Sequence, residues 1–557
     1  MDLKQLKAFV ENPSIELICH NAQFEWKWFL SRGINANIKY DTRIEAKLID
    51  SRTPGDLGTL SMKAGVDKYY KDESPATLEG KALEQRPTRD ARNTLALHEL
   101  YYSQLSDAEK KIYHEVLVPA AKTLAQIELE GLCIDPKRVE KMWAKLDADI
   151  KGLKLDKDPA IAQFQKSSGK PFNVGSSVHK NIIIFDMLGY APVAYHEETN
   201  TPVMDAESLE CMIRLQHIHE RHSTGIELKG CKKCQSSTLM KILRASQWTG
   251  WRDKFLGTKK DLKTGEAKGI WRHIVEVGGK HFIFTDLMAV EARTGRVISM
   301  NPNTQNMPNN FVRVIFTSRY GWIIEFDYKG IELRIWACLA GDSKLIEAFR
   351  TGDPHVDTAQ DICAKKTISD DERFVGKTFN YIIINGGGPD RLAQLTGLPL
   401  NETQQMFKRF WREHPSGRSF WEEWVEAESY DKYDRPRSGI VYAPTGMKRY
   451  FEKPNEARNH LIQNPAMIVL LKALNQAVPY VKDEFKGKAC IDLTIHDSIR
   501  ADASGSIKKR LIHDVKKIME SQTLEWFDGH GKKIEMELPF LAEVKAGRDW
   551  GSMKELK

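Results

Sequence analysis

Long apolar runs and cysteines are both scarce in this sequence of 557 residues. No run approaches the roughly 18–20 apolar residues that a membrane-spanning helix needs, so we expect no membrane span. The opening MDLKQLKAFVENPSIEL lacks the apolar segment of a signal peptide. Eight cysteines in so long a chain argue against a disulfide-stapled secreted protein and predict reduced thiols in an intracellular, cytoplasmic one.

A strong excess of one charge is missing as well. The formal net charge is +7 and the isoelectric point is about 8.7, which is compatible with a polyanionic partner but does not identify one. Hydrophobic residues make up 41% and charged residues 29% of the chain, as in globular proteins. The length suits roughly three or four domains.

The pattern of apolar residues changes in order along the chain. Residues 1–105 alternate short strands with helices, which indicates an α/β region, and a long helical pattern follows from 107 to 165. Residues 195–235 and 257–280 are polar and rich in Lys, His and Gly, so we predict loops there. Strands and helices mix again beyond 281. The predicted fold class is therefore multidomain, combining α/β and α+β parts.

The stretch EFDYKGIELRIWACLAGD, residues 325–342, begins as a strand and ends as a helix. Asp327 follows the apolar strand pattern, and Leu333 and Trp336 begin a helical spacing. A carboxylate at the end of a strand is held rigidly at the rim of a sheet, where active sites commonly lie. A helix N-cap is the structural alternative, because aspartate is common there too.

A second acid, Asp497, belongs to ACIDLTIHDSIRAD, residues 489–502, which alternates like a strand. The alternation predicts that Asp497 shares a face with Ile491 and Ile495, where an unpaired acid would be costly. Two aspartates from distant strands are suited to sharing Mg²⁺, which takes one or two carboxylates plus substrate phosphates. Such two-metal sites catalyse phosphoryl transfer. An aspartate in a hairpin turn is the alternative.

Residues 371–388, DERFVGKTFNYIIINGGG, place Arg373, Lys377 and Tyr381 at intervals of four, on one helix face. Two cations suit a triphosphate, and the ring suits stacking on a base or sugar. An ordinary solvated basic face is the alternative. The triple glycine 386–388 should end the helix, and the sequence has no GxxxxGKS or GxxxxGKT phosphate-binding loop.

These three stretches resemble the polymerase motifs of family A DNA polymerases, the DNA polymerase I-like enzymes. Further similar segments follow in the family's order: ARTGRVISMNPNTQNMPNN (292–310), GDPHVDTA (352–359), ARNHLIQNPA (457–466) and LPFLAEVKAGRDWGSMKEL (538–556). IELEGLCID (127–135) and FNVGSSVHK (172–180) resemble thumb segments of the family. The resemblance covers nearly the whole chain.

The resemblance implies a right-hand polymerase fold. Its expected parts are a truncated, RNase H-like 3′–5′ exonuclease domain over 1–105, a thumb over 106–290 with an insertion at 195–235, a palm over 291–342 and 436–557, and fingers over 343–435.

The resemblance also implies template-directed DNA synthesis from dNTPs on primer-template DNA. Asp327 and Asp497 would be catalytic and would hold two Mg²⁺ ions together with the Tyr328 carbonyl. The expected dNTP contacts are Glu332, as the steric gate against a ribose 2′-hydroxyl, and His355, Arg373, Lys377 and Tyr381. The expected primer-template contacts are Arg296, Asn303, Asn306, Asn459, Gln463 and His496.

Several positions depart from the family pattern. Ser498 stands where the family often has Glu, and Asn385 replaces the aromatic residue that normally covers the template position. Lys329 and Gly330 replace a more usual Ser-Gln pair. We expect the replacement at Asn385 to affect the fidelity of template copying and not the catalytic chemistry.

The stretch HNAQFEWKWFL, residues 20–30, resembles the second exonuclease motif. Asn21 matches, but Glu25 replaces the usual Asp. In RPTRDARNTLAL, Asp90 matches the third motif, but Arg86 replaces its Tyr. The first motif should precede these, and the chain begins too soon for it. We expect a vestigial, inactive proofreading domain; the alternative is that a separate polypeptide or an upstream start supplies the missing strand.

The stretch CMIRLQHIHERHSTGIELKGCKKC, residues 211–234, has a cysteine pair with zinc-ligand spacing, Cys231 and Cys234. Further candidate ligands are Cys211, His217, His219 and His222. A Zn²⁺ site in the thumb insertion is one prediction. A polar surface loop with free thiols and a docking site for a processivity factor are the alternatives.

Two rival functions stay open at this point. A single-subunit RNA polymerase would share the palm but lack a gate acid such as Glu332. A catalytically inactive DNA-binding protein would not be expected to keep both Asp327 and Asp497. For the polymerase, we expect viral DNA replication by a phage or plasmid enzyme in the host cytoplasm, with a processivity factor or replicative helicase as partner. Bacterial or organellar repair is the alternative setting.

Overall fold

The computed structural model describes residues 2–67, 80–196, 199–219, 232–261, 264–289, 291, 296–308, 310–426, 438–527, 533–534 and 536–556. The chain forms two compact units. The first unit comprises Met1–Ile134, Val275–Gly341 and Ser419–Lys557, and the second comprises Asp135–Ile274 and Asp342–Arg418. The five-part division expected from the resemblance stays a prediction.

The α-helices are numbered in chain order. They are α1 (Leu3–Val10), α2 (Ala22–Leu30), α3 (Thr42–Ile49), α4 (Leu57–Lys63), α5 (Gly80–Tyr102), α6 (Asp107–Ile112), α7 (Val118–Glu130), α8 (Pro136–Gly152), α9 (Pro159–Ser168), α10 (Ser177–Asn181), α11 (Ala206–His219), α12 (Lys232–Gln235), α13 (Thr238–Thr249), α14 (Ile331–Leu339), α15 (Ser343–Thr351), α16 (Pro354–Cys363), α17 (Asp370–Ile384), α18 (Pro389–Thr396), α19 (Leu400–Glu413), α20 (Pro415–Phe420), α21 (Pro454–Glu484) and α22 (Lys508–Glu520).

The strands are numbered in the same way. They are β1 (Leu17–Cys19), β2 (Ile38–Asp41), β3 (Leu132–Ile134), β4 (Ile274–Val277), β5 (Lys280–Ile283), β6 (Asp286–Met288), β7 (Ile298–Met300), β8 (Gly321–Tyr328), β9 (Gly439–Tyr442), β10 (Lys448–Phe451), β11 (Ala489–Ile495), β12 (Ser498–Ser504), β13 (Trp526–Phe527), β14 (Lys533–Ile534), β15 (Ala542–Gly547) and β16 (Lys554–Glu555).

A five-stranded sheet in the order β11-β12-β8-β15-β16 forms the centre of the first unit. All neighbouring strands are antiparallel. Ile324, Phe326 and Tyr328 of β8 are buried on one face, and the Tyr328 hydroxyl donates to the Met519 carbonyl of α22 at 2.9 Å. Because side chains alternate along a strand, Asp327 lies on the opposite face of the sheet.

The start of the chain alternates strands and helices, as the sequence predicts. β1 and β2 are parallel, with α2 between them in sequence. Val10, Trp26 and Ile38 belong to the small apolar core of this region.

The second unit places α17 directly against α16. A Cβ added to Gly376 of α17 would lie 2.3 Å from the His355 carbonyl oxygen of α16, so only glycine permits this approach. Ser369 begins α17 with a capping box to Glu372. The helix ends at Ile384, just before the glycine triplet, as predicted.

A buried histidine joins three helices of the second unit. His414, which follows α19, donates from Nδ1 to Asp342 Oδ2 at 2.7 Å and from Nε2 to Asp361 Oδ2 at 3.1 Å. Asp342 is the N-cap of α15, and Asp361 lies in α16. Burial lowers the pKa of His414, but the hydrogen bonds to the two aspartates outweigh burial and raise that pKa above its ordinary value.

The loop prediction for residues 195–235 and 257–280 is wrong in part. Residues 206–219 form α11, and 257–280 include β4. In α11, Leu209, Met212 and Ile213 are buried at helical spacing. The surrounding polar residues hide this narrow apolar stripe from a composition-based prediction. Among the described residues, no helix combines the length and apolarity that crossing a membrane requires.

Candidate active site

Asp327 lies within β8 and does not cap the helix that follows. The N-cap of α14 is Gly330, whose φ of 57° is in the left-handed region that favours glycine. The helix-cap alternative for Asp327 is therefore wrong. This backbone conformation also explains why a glycine and not a larger residue occupies position 330, which the sequence alone did not explain.

The junction between β8 and α14 is held by Arg334. Its Nε donates to the Lys329 carbonyl at 2.8 Å, and its Nη1 donates to the Pro539 carbonyl at 3.2 Å. Arg334 is buried. The two bonds fix the short segment that separates Asp327 from Glu332.

Asp497 does not lie on a strand face, contrary to the prediction from alternation. β11 ends at Ile495 and β12 begins at Ser498, so His496 and Asp497 form a two-residue hairpin turn. His496 has a φ of 54°. An alternating pattern continues unbroken through such a tight turn, which is why the sequence reads as one strand. The hairpin-turn alternative is the correct location.

The turn nevertheless brings Asp497 to Asp327. Ser498, the next residue after Asp497, is paired with Asp327 across β12 and β8. The Tyr328 N–H donates to the Asp497 carbonyl at 3.4 Å. The side chains of Asp327 and Asp497 lie close enough for each to shift the pKa of the other. Two acids that are 170 positions apart in sequence thus form one pair.

The electrostatics of this pair are unfavourable without a cation. Burial, followed by the charge of Asp497, raises the pKa of Asp327 well above its ordinary value. Burial also raises the pKa of Asp497, and its hydrogen bonds counteract only part of this effect. Lys545 lies close enough to lower the pKa of Asp327 somewhat, yet the net direction remains upward.

The pair offers few protein ligands. In the part of the chain that the structure describes, no group of three or more His, Cys, Asp or Glu side chains could hold a metal ion. A site of two carboxylates has the composition that Mg²⁺ uses when substrate phosphates and water complete its coordination.

Glu332, the predicted sugar gate, lies in the first turn of α14 and forms an ion pair with Arg296. The charge of Glu332 raises the pKa of Asp497 and that of Arg296 lowers it, both less strongly than burial does. The ion pair therefore lies beside the acid pair. Arg296 was expected to contact the DNA duplex, and the structure gives it a partner within the protein.

The predicted triphosphate face of α17 contains one cation that is paired with an acid. The Arg373 guanidinium donates to Asp353 Oδ2, with Nε at 2.8 Å. Lys377 and Tyr381 lie on the same face and are exposed, Tyr381 to 61%. His355 hydrogen-bonds Asn380 Nδ2 through Nδ1 at 3.1 Å. The structure thus places the four predicted residues on the α16–α17 pair.

The predicted primer-template residues on α21 contain unused hydrogen-bond acceptors. Asn459 Oδ1 and Gln463 Oε1 are buried and have no hydrogen-bond partner among the described residues. Buried polar atoms are normally paired, so unpaired ones require an explanation such as a missing ligand. Asn303 and Asn306 are exposed, and Asn303 Oδ1 accepts from the Asn306 N–H at 3.0 Å.

The exonuclease-like residues do not form a second acid pair of this kind. Asp90 pairs with Arg86, at 3.5 Å between Oδ2 and Nε. Burial raises the pKa of Glu25 to about 7, and Asp41 adds to that shift. The Asn21 N–H donates to Asp41 Oδ1 at 3.0 Å.

The predicted zinc ligands fall largely outside the described residues. Cys231 and His222 lie there, as do the side chains of His217 and His219. Cys234 is buried in the apolar core of the second unit. Burial raises the pKa of Cys211 to about 11, which disfavours its metal-binding thiolate form. The zinc site stays a prediction.

Sequence reasoning missed the side chains that hold the hairpin formed by β11 and β12. Gln305 Nε2 donates to the Thr494 carbonyl at 3.1 Å, and Thr494 Oγ1 donates to the Ser498 carbonyl at 2.9 Å. Gln305 belongs to the quoted NPNTQNMP segment, so the resemblance indicated the region but not the contact.

Comparison with a solved structure identifies the fold. The fold matches the POL domain of Pol1 from M. smegmatis, solved in complex with DNA primer-template and dNTP, with a TM-score of 0.76 at 20% sequence identity. The match covers 99% of this chain and 88% of that one. The fold is that of a polymerase.

The family follows from the sequence of the chain. The model of DNA polymerase family A matches residues 139–552, and the chain belongs to this family. Thermostable DNA polymerase I from Thermus thermophilus is 24% identical over 539 residues, which span 90% of this chain and 58% of that protein. DNA polymerase I from Geobacillus stearothermophilus is 25% identical over 562 residues, 95% of this chain and 57% of that protein. This chain therefore spans little more than half the length of these relatives.

Proposed function

We propose that this chain is a DNA-directed DNA polymerase that adds dNMPs to a primer 3′-hydroxyl. The observation that carries the proposal is the Asp327–Asp497 pair, two half-buried carboxyls brought close together without an adjoining cation strong enough to neutralise them. Membership in DNA polymerase family A supports the same activity.

The residues fit a pair of Mg²⁺ ions. Burial raises the pKa values of both acids, and the charge of Asp497 adds to the rise for Asp327, so a cation at the pair would favour their ionised forms. Asp327 and Asp497 would hold the ions, with the Tyr328 carbonyl as a further ligand. When bound, Mg²⁺ would activate the 3′-hydroxyl and neutralise the triphosphate and the leaving pyrophosphate.

The remaining roles belong to side chains of the chain itself. In the second unit, Lys377 would bind the triphosphate and the Tyr381 ring would lie against the incoming sugar, since both are exposed on one face of α17. Arg373 would also bind the triphosphate, by leaving its ion pair with Asp353 and pairing with a phosphate. In the first unit, Asn459 and Gln463 would donate and accept hydrogen bonds at the primer-template, which would satisfy their unpaired oxygens.

Glu332 would exclude ribonucleotides. Its carboxylate is positioned by Arg296 next to the acid pair, where it would meet a ribose 2′-hydroxyl. This position favours a DNA polymerase over the rival single-subunit RNA polymerase.

A primer-extension assay with dNTPs and, in parallel, rNTPs tests the proposal. We expect extension with dNTPs only, and loss of extension in Asp497→Ala. The matched control is Asp483→Ala, an exposed acid at the end of α21. Preferential extension with rNTPs would favour the RNA polymerase, and DNA binding without extension would favour the inactive binding protein.

We also propose that the exonuclease-like region is inactive. Asp90 is neutralised by Arg86, the residue that replaces the motif's tyrosine, and Glu25 is a buried acid with a pKa near neutrality. A 3′-labelled mismatched primer should remain uncleaved in Mg²⁺, and Mg²⁺-dependent excision would refute inactivity. The viral setting and the processivity-factor or helicase partners remain predictions from the resemblance.

A further inference from the structure

We infer that Ser498 and Thr494 are positioning residues that hold the turn carrying Asp497 in register with Asp327. The inference rests on the proposed function, because it assigns these hydroxyls to the geometry of the acid pair. Neither residue would touch the substrate.

The turn needs support because it is short and strained. Only His496 and Asp497 connect β11 to β12. His496 has a φ of 54°, in the left-handed region that residues other than glycine rarely adopt. His496 is exposed, so packing of its own side chain does not hold it there.

Two buried hydroxyls close the turn from its two strands. Thr494 Oγ1 in β11 donates to the Ser498 carbonyl, and Ser498 Oγ in β12 donates to the Ile495 carbonyl, each at 2.9 Å. Thr494 is fully buried and Ser498 is 5% exposed. The bonds are therefore shielded from competing water, and each strand holds the backbone of the other at the point where the chain reverses.

These bonds bear directly on the acid pair. Ser498 is the register partner of Asp327 and the immediate neighbour of Asp497. A shift of the turn would change the separation of the two carboxyls, and functional constellations tolerate only about 0.5 Å of such error. Gln305 steadies the same hairpin by donating to the Thr494 carbonyl at 3.1 Å.

The departure of Ser498 from the family pattern gains a physical reason. Many family members have Glu at this position. An ionised carboxylate accepts hydrogen bonds but cannot donate one, so it could not bond the Ile495 carbonyl as the serine hydroxyl does. In this chain Ser498 supports the turn and does not add a third acid to it.

The test compares Ser498→Ala and Thr494→Val with Ser498→Thr, which keeps the hydroxyl. Ser504→Ala is the matched control, a half-buried serine at the far end of the same strand. The measurements are kcat and KM for a dNTP in primer extension, Mn²⁺ affinity of the DNA-free protein by electron paramagnetic resonance, and the melting temperature.

We expect Ser498→Ala and Thr494→Val to lower kcat by about tenfold, the low end of effects at residues that support metal ligands. Mn²⁺ affinity should fall in parallel, while KM stays within twofold. Ser498→Thr should restore both, and Ser504→Ala should match wild type. Wild-type kcat and Mn²⁺ affinity in both hydroxyl-deleted variants would overturn the inference, as would a fall in melting temperature that alone accounts for the losses.

Asp497→Ala separates this inference from the proposed function. If wild type does not extend primers, the proposed function itself is wrong, and if Asp497→Ala extends them as well as wild type, the role given to the acid pair is wrong. If Asp497→Ala is inactive while Ser498→Ala and Thr494→Val behave as wild type, only the positioning role falls.

Discussion

The first unit brings Asp327 and Asp497 together from distant parts of the chain, and the second unit brings together Asp342 and Asp361 from consecutive helices. In the second pair, the His414 ring lies between the carboxylates and donates to both. In the first pair, the carboxyls contact each other. The second aspartate pair therefore has a histidine of the protein between its carboxylates, whereas the first pair has no such group between its carboxyls.

The pKa shifts follow this difference. Burial raises the pKa of Asp361, but hydrogen bonds from His414 and Lys344 outweigh it and lower that pKa below its ordinary value. Burial raises the pKa values of Asp327 and Asp497, and the charge of Asp497 adds to the rise for Asp327. An acid pair that is neutralised internally stabilises the fold, whereas one that is not reduces stability and can take up a cation from outside.

Replacement of an acid in the first pair should have the largest effect. Asp327→Asn should lower primer extension by more than about 100-fold, since it removes a proposed metal ligand and not merely a residue that supports one. Its free energy of unfolding should be unchanged or higher, because a carboxyl with a raised pKa opposes folding at neutral pH. Primer extension and denaturant unfolding measure the two effects.

The control for Asp327→Asn is Asp483→Asn at the exposed end of α21. A variant that is both inactive and less stable than wild type would break the comparison, because Asp327 would then support the fold in the way Asp361 does.

Replacement of His414, the cation of the second pair, should lower the free energy of unfolding. His414→Leu leaves two aspartates facing each other in a buried site and should lower the free energy of unfolding by about 3–5 kcal/mol. Chemical denaturation measures the change. His513→Leu, at a histidine whose side chain is 75% exposed, should change it by less than about 0.5 kcal/mol. A similarly small loss in His414→Leu would show that the ring contributes no essential charge.

Raising the pH should weaken the stabilisation that His414 gives to the second pair and strengthen the binding of divalent cations to the first pair. The folded pKa of His414 is raised above its unfolded value, so its stabilisation is complete below the unfolded value of about 6.5 and is lost as pH rises through the folded pKa. Divalent-cation binding to the first pair should strengthen over the same rise, because it requires both acids to be ionised.

Thermal unfolding of wild type and His414→Leu at pH 6 and pH 9, with Mn²⁺ titrations of wild type, would measure both trends. The loss of stability at pH 9 should be smaller than that caused by His414→Leu, since a neutral imidazole keeps one donor. A pH dependence that persists undiminished in His414→Leu would assign it to other groups.

Lys344→Ala should have the smallest effect. Lys344 Nζ lies 2.6 Å from Asp361 Oδ1 and 3.4 Å from Glu413 Oε2, but its side chain is 42% exposed. Exposed ion pairs contribute less than about 1 kcal/mol. A loss of 2 kcal/mol or more in denaturant unfolding would mean that Lys344 shares with His414 the role of the second pair's cation.

The sequence predicted the elements of the site better than their arrangement. β8 with Asp327, the helix after it and the exposed face of α17 appear where apolar periodicity indicated. Asp497 was assigned to a strand face because periodicity does not register a two-residue turn. Register between distant strands, which places Ser498 opposite Asp327, is decided by tertiary pairing.

The second acid pair was not predicted at all. Asp342, Asp361 and His414 carry no local motif, and His414 lies more than 50 positions after the two acids, so only the packing of α15, α16 and α19 brings them together. By contrast, the pairing of Arg86 with Asp90 was accessible in principle, since residues four apart on a helix are neighbours.

The central position of β8 has a consequence for synthesis of the protein. Its two neighbours in the sheet are β12 and β15, which begin at Ser498 and Ala542. A ribosome adding about 5–20 residues per second needs roughly 9–34 s to make the chain between β8 and β12. Throughout that interval the strand that carries Asp327 has neither partner. The nascent chain therefore holds an apolar strand with two open edges, and Asp327 and Asp497 first meet late in translation.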